Sequence, residues 1–451
     1  MHTSKPSQNQ ITEGVIWKQL LIFFFPILFG TFFQQLYNTI DTMIVGHYVG
    51  KHALACVGGS AAQITSLIVS FFTGLSSGAS VIIAQFYGAD DEKGTSLAIH
   101  TAYAFSILGS ILIGIFGYFL TPQILTLMNT PAELMADTTI YLQIYFTSTL
   151  FVFIFNIGSA ILHASGNSRH PLYYLIICCL LNILLDIVFV VYLNLGVKGV
   201  ALATWIAQAV SAALVTGKLA RSRDMLHLVL RDIRLHGNIF KSQLRIGLPT
   251  GIQASLYAFS NAMIMAAINA FGTDTVAAWS VYGKLDAIYW MVSGAFGVAI
   301  TTFVGQNYGA GKYGRIRESV RTCLLMQLAV SAGIILFLIF FRTPLFHLFT
   351  SDENVISIGS QMLILITPFY IFYSFTEVYS GARKGMGDVF IPMIITLCGI
   401  CFLRILWILI CSRFFNTIAA ILMCYPASWI FCAVSFIIYY LYQMKKHPQN
   451  V

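Results

Sequence analysis

Charge is what this sequence has least of. Lysine and arginine number 25 and aspartate and glutamate 17, together 9% of the 451 residues. A soluble globular chain carries about a quarter. With 58% hydrophobic residues and a mean hydropathy of +0.80, this excludes a soluble fold and leaves a polytopic membrane protein. The first stretch, MHTSKPSQNQITEG, lacks the basic region, short apolar core and small-residue cleavage site of a signal peptide, so it reads as a short tail before the first span. The cysteines lack polar company. Cys398 and Cys401 form a CxxC, but inside TLCGICFL, with no partner cluster. All nine therefore read as small buried hydrophobes, and no metal or redox chemistry is assigned to them. Enzyme signatures are missing too: there is no G-x-S-x-G, HExxH or Walker A, and no two histidines share an intramembrane helix at ligand spacing. No enzymatic activity and no cofactor are expected. Without a nucleotide-binding domain, uphill transport must draw on an ion gradient. The membrane potential alone supplies about 2.3 kcal/mol per charge per 100 mV.

What is present is a series of apolar runs, each long enough to cross a bilayer, which takes about 20 residues. Twelve spans are expected near 16–40, 53–77, 97–120, 137–162, 171–193, 199–219, 246–270, 277–303, 320–341, 355–380, 389–411 and 418–442. The termini and the loops after even-numbered spans hold 19 of the 25 lysines and arginines, whereas the opposite loops hold Lys51, Lys198, Arg342 and Arg413. The positive-inside rule then puts both termini in the cytoplasm of a multi-pass protein of the cell membrane, a bacterial inner membrane being expected. Topology accounts for the net charge of +8, and no nucleic-acid partner is needed.

The densest basic stretch, Lys218 to Arg245, divides two related halves. LYNTIDTMIV (36–45) aligns with LYAFSNAMIM (256–265), and IAQFYGAD (83–90) with VGQNYGAG (304–311). Gly166 and Pro171 fall opposite Gly387 and Pro392, at the same spacing. The domains read as a tail (1–15), an N-lobe (16–220), a linker (221–245), a C-lobe (246–442) and a second tail (443–451). The fold class is an all-α membrane protein of twelve helices in two six-helix lobes. An even helix count per repeat predicts a pseudo-two-fold axis along the membrane normal and a central cavity. The halves diverge at their polar positions: Asp41 is matched by Asn261, Asp186 by Trp407, Glu377 by Asn156 and Arg404 by Ile183.

Each charge at mid-membrane costs roughly 2.5–3.5 kcal/mol, so it needs a partner, a wet cavity or a proton. Asn182 and Asp186 lie one turn apart on one face of the fifth span, and Thr204 and Gln208 likewise on the sixth. With Tyr37, Asp41 and Tyr141 they are expected to converge on one cavity. No lysine or arginine lies in the membrane core of that half to neutralise the two carboxylates, which suits groups that take up and release a proton. Asp41 has a second reading, as a helix-capping or hydrogen-bonding group near the end of its span. Pro26, in the middle of the first span, kinks or breaks its helix. The kink is either a bistable element responding to Asp41 or static packing. In the other half Glu377 and Arg404 are expected to form a structural ion pair. Lys284 and Asp286 face either the cavity or the interface.

Two six-helix halves, QQLYNTIDTMIVG in the first helix, AQFYGA after the second and GQNYGAG after the eighth resemble the multidrug and toxic compound extrusion (MATE) transporters over the whole chain. Pro26 and Asp41, with Asn182, Asp186 and Thr204, resemble the amino-lobe cation site of the DinF-like branch. The resemblance implies export of cationic or amphipathic organic compounds, driven by inward protons or sodium ions through those residues. Tyr37, Tyr141, Asn156 and Gln208 are then expected to line the substrate cavity. The only metal implied is Na+ at Asp41, Asn182, Asp186 and Thr204. The seventh helix has no carboxylate, unlike the NorM-like branch, which favours amino-lobe coupling. The expected partners are a small organic substrate and the lipid bilayer, with the chain acting as a monomer. The competing reading is a flippase for a lipid-linked precursor or a metabolite exporter of related fold. A flippase calls for a cavity rich in Arg and Lys, which the spans of the amino half lack.

Overall fold

The computed structural model describes residues 10–415 and 417–446, so parts of both expected tails, 1–9 and 447–451, lie outside the described residues. Among the described residues, twelve helices are long and apolar enough to span a bilayer: α1 (Ile16–Val49), α2 (Lys51–Gly88), α3 (Glu92–Leu127), α4 (Ala132–Ala164), α5 (Arg169–Tyr192), α6 (Gly196–Ala220), α7 (Gly237–Asn269), α8 (Thr273–Gly309), α9 (Tyr313–Phe340), α10 (Glu353–Gly385), α11 (Phe390–Cys411) and α12 (Ile418–Gln443). Helix is the local answer because lipid offers no partner for backbone N–H and C=O groups. Most helices outrun their apolar cores. Polar turns at their ends, such as AQFYG at the end of α2, continue the backbone ladder into the interface.

The polar residues between spans place the ends. The Asp91 carboxylate accepts from Gly94 N at 2.9 Å and starts α3, and Asp352 accepts from Asn354 N at 2.9 Å at the start of α10. The repeat is also written in the backbone. Asp90 (φ 57°) and Gly311 (φ 67°) adopt left-handed turns at matched positions, as do Gly166 (φ 88°) and Gly387 (φ 85°). In the last pair the helix stops on a residue that tolerates positive φ, and the buried prolines Pro171 and Pro392 lie in the first turns of the next helix.

The chain forms two compact units whose boundaries fall inside helices: one is Phe25–Gly251, and the other runs up to Phe24 and resumes at Ile252. In the first unit α4 is the hub, packed on α2, α3 and α6; in the second, α10 packs on α8, α9 and α12. Each unit includes the opening turns of the other half's first helix. The start of α1 lies on α8, where Phe24 stacks on Phe296 at 4.3 Å and Leu20 is fully buried. The start of α7 lies on α2 and α3, with buried Gln243 donating to Ala98 O at 2.8 Å. Both handovers fall within three residues of a helix-interior proline, Pro26 and Pro249.

Candidate functional site

The site lies within the unit Phe25–Gly251. α5 presents Cys178, Asn182 and Asp186 as a stripe at successive turns, all three buried. Asp41, half-buried on α1, lies within electrostatic range of Asp186. Asn182 Nδ2 donates to Thr204 Oγ1 of α6 at 3.5 Å. Tyr37, one turn before Asp41, and Tyr141 of α4 lie within electrostatic range of Asp41, and Tyr141 also of Asp186.

Four buried oxygens, Asp41 Oδ1, Asn182 Oδ1 and both of Asp186, have no hydrogen-bond partner among the described residues. No ion pair to either aspartate occurs there. Two full negative charges about 4 Å apart repel by about 4 kcal/mol at an effective dielectric of about 20. If both are ionised, a proton or a small cation would relieve them. Carboxylate, amide and hydroxyl oxygens are the donors a hard monovalent ion takes, so the residues present fit Na+ as well as H+.

Directly after the two aspartates the backbone loosens into π-helical turns, Val45–Val49 in α1 and Ile187–Tyr192 in α5, which pack on each other. Such turns widen the helix and recur at functional sites. Val45 and Val190 are buried in one apolar cluster with Ala53 and Cys56, against which Tyr141 and Ile40 pack.

Tyr37, Asp41, Tyr141, Asn182, Asp186 and Thr204 are thus brought together. Gln208 is half-buried without a hydrogen bond to them, and Asn156 Nδ2 turns back to Val152 O at 2.9 Å on its own helix. Sequence reasoning missed Cys178 and Tyr145, both near Tyr37. Their signal was helical spacing, one turn from Asn182 and from Tyr141.

In the other unit the expected ion pair does not form. Glu377 accepts from Tyr373 OH at 3.0 Å, lies within range of Lys384, and fills space that a side chain on Gly297 would occupy. Arg404, 1% exposed, donates to Ser428 Oγ at 2.9 Å and Asn261 Oδ1 at 3.4 Å, with its guanidinium over the Tyr425 ring at 4.3 Å. Opposite charges on neighbouring helices were read as partners, but helix rotation turns them to different neighbours. Asp286 accepts from Trp290 Nε1 and Tyr370 OH and lies within electrostatic range of Arg404, while Lys284 sits over the Phe349 ring. Burial, expected for all nine cysteines, fails at Cys398, which is exposed on α11, and is partial at Cys401.

Twelve apolar spans, an internal repeat and a cluster of unpaired buried oxygens inside one unit define a multi-pass membrane protein with a polar site in its membrane-spanning part. The MatE family profile matches residues 26–188 and again 249–410, so the chain belongs to the MATE family of multidrug efflux transporters. It is 25% identical to the probable multidrug resistance protein YoeA of Bacillus subtilis, over 98% of this chain and 96% of that protein. It is 30% identical to the probable multidrug resistance protein NorM of Thermotoga maritima, over 84% of this chain and 82% of that one. Its fold is that of a MATE transporter solved in a straight conformation, with a TM-score of 0.90 at 20% identity, covering 98% of this chain and 99% of that one.

Proposed function

We propose that the chain is a secondary active exporter of cationic or amphipathic organic compounds, antiported against inward protons or sodium ions by rocker-switch alternating access. Coupling runs through Asp41 and Asp186, with Asn182 and Thr204 completing the ion site. The observation that carries the reading is the group of four buried oxygens without a partner among the described residues, built around two neighbouring carboxylates. A purely structural pair of acids would have acquired a lysine or arginine. The export direction and the substrate class rest on family membership and on the relatives named as multidrug resistance proteins.

The test is efflux of a fluorescent organic cation from proteoliposomes under a proton gradient and, separately, a sodium gradient. The expected result is efflux that follows one imposed gradient and stops when that gradient is collapsed. Equal flux with no gradient would leave a passive pore, and transport of a lipid-linked pyrophosphate instead of the cation would favour a flippase. Thr204→Val should raise the ion concentration for half-maximal efflux several-fold without changing the maximal rate. It removes a neutral hydroxyl beside Asn182 and leaves both charges in place.

A further inference from the structure

Away from the coupling site, at the ends of α2 and α4 opposite the basic linker, three side chains of different chemistry converge. His52 and Cys56 lie one turn apart on α2, and Asp137 projects from the first turns of α4. His52 Nδ1 is 3.6 Å from Asp137 Oδ2 and 3.9 Å from Cys56 Sγ, and one ligand atom from each residue lies within 4.8 Å of the others. Ligands of a tetrahedral ion with bonds of roughly 2.0–2.3 Å stand about 3.3–3.8 Å apart, so the two His52 edges are already close to that spacing and the Cys56–Asp137 edge, within 4.8 Å, is the one that must close on binding.

The outer edge of the imidazole is already committed. His52 Nε2 lies 3.0 Å from the Glu133 carbonyl oxygen, which accepts only if Nε2 carries the hydrogen. In the neutral ring that leaves the Nδ1 lone pair aimed between the thiol and the carboxylate, the arrangement in which a second-shell carbonyl orients a metal-binding histidine. A plain His52–Asp137 ion pair would not need the cysteine on the same side of the ring. Cys56 is fully buried, while His52 and Asp137 are 47% and 48% exposed. A cavity of about 220 Å³, lined by Val49, His52, Asp137, Asn194 and Lys198, opens beside them. The Cys56 sulfur is therefore shielded and the other two ligands are reachable.

The geometry points to a transition-metal site of the zinc class at His52, Cys56 and Asp137, with a fourth position open to water or to an external ligand. One nitrogen, one sulfur and one oxygen suit Zn2+ and disfavour Mg2+ and Ca2+, which take oxygen alone. Thiolate and carboxylate together balance the dication. An ion there ties α2 to α4 beside the apolar cluster that holds both π-helical turns.

The test is titration of tag-free, full-length protein with Co2+, followed by displacement with Zn2+. Expected are one Co2+ per chain, the visible bands of a tetrahedral ion and a thiolate-to-cobalt charge-transfer band, all removed by Zn2+. Cys56→Ser should lose the charge-transfer band. His52→Gln and Asp137→Asn, at half-exposed positions and checked for an unchanged melting temperature, should each weaken binding at least tenfold. The double variant Cys398→Ser/Cys401→Ser should keep the band. The proposal is overturned by absence of the band in the unsubstituted chain, by its survival in Cys56→Ser, by unchanged affinity in both exposed-ligand variants, or by its loss with Cys398 and Cys401.

Discussion

Asp186→Asn is expected to reduce gradient-driven efflux at least tenfold in a chain that still inserts and folds, and Asp41→Asn to do the same. The amide keeps the shape of the carboxyl and removes its charge. Asp186 is fully buried on an apolar helix, and neither of its oxygens has a protein partner among the described residues. Removing a mid-membrane charge saves roughly 2.5–3.5 kcal/mol of insertion cost, so a folding defect is not the expected consequence. Under the proposed coupling, what is lost is the reason for a cation or proton to reside there: the repulsion between two neighbouring carboxylates disappears when either becomes neutral. The measurement is the initial efflux rate in proteoliposomes under an imposed gradient, with size-exclusion profile and melting temperature as controls for folding. The expected pattern is a rate near the leak level with melting temperatures unchanged or raised. Undiminished efflux by both variants would remove coupling from this pair.

The membrane class, the twelve spans and the repeat were legible because each is a one-dimensional property of the sequence: hydropathy, run length and spacing. The pairing of Asn182 with Asp186 was legible for a related reason: a carboxylate in an apolar span is rare enough to stand out, and a partner one turn away shares its face whatever the tertiary packing. That Asp41 and Thr204 join them from other helices was expected from the family resemblance, not from spacing. The relation of Glu377 to Arg404 was not legible, because pairing across helices depends on rotation, and rotation brought Tyr373 to one and Ser428 with Asn261 to the other. Asn261 is the repeat counterpart of Asp41. The second half therefore replaces this acid with an amide held by a resident guanidinium. His52 and Cys56 were at ligand spacing in plain view, but Asp137 lies 81 residues beyond Cys56 and no local pattern joins them. The π-helical turns and the handovers beside Pro26 and Pro249 belong to packing, which hydropathy does not record.

One of those handovers carries the second large effect. Where the opening of α7 crosses α2, both helices present glycine at a four-residue spacing: Gly74 and Gly78 in GLSSG, Gly247 and Gly251 in GLPTG. Lipid tails are as apolar as leucine, so helices in a bilayer associate through close packing, and small residues let backbones approach. The approach here leaves no room for even a methyl group. A Cβ on Gly78 would lie 2.4 Å from Gln243 O and from Gly247 N, and one on Gly247 would lie 2.4 Å from Leu75 O. These are backbone atoms, which no rotamer change can move aside. Gly78→Ala is therefore expected to destabilise the protein by on the order of 2 kcal/mol, even though alanine favours a helix by up to about 1 kcal/mol over glycine. Gly78→Leu is expected to leave no folded peak at all. Gly217→Ala on α6 is the matched control, since a Cβ there meets nothing within 4 Å and only the helix preference remains. Melting followed by size-exclusion should show Gly78→Ala several degrees below the unsubstituted chain and Gly217→Ala at or above it. If both alanine variants melt alike, the crossing is looser than this geometry, and another contact, such as that of Gln243 with the Ala98 carbonyl, holds α7 to its unit.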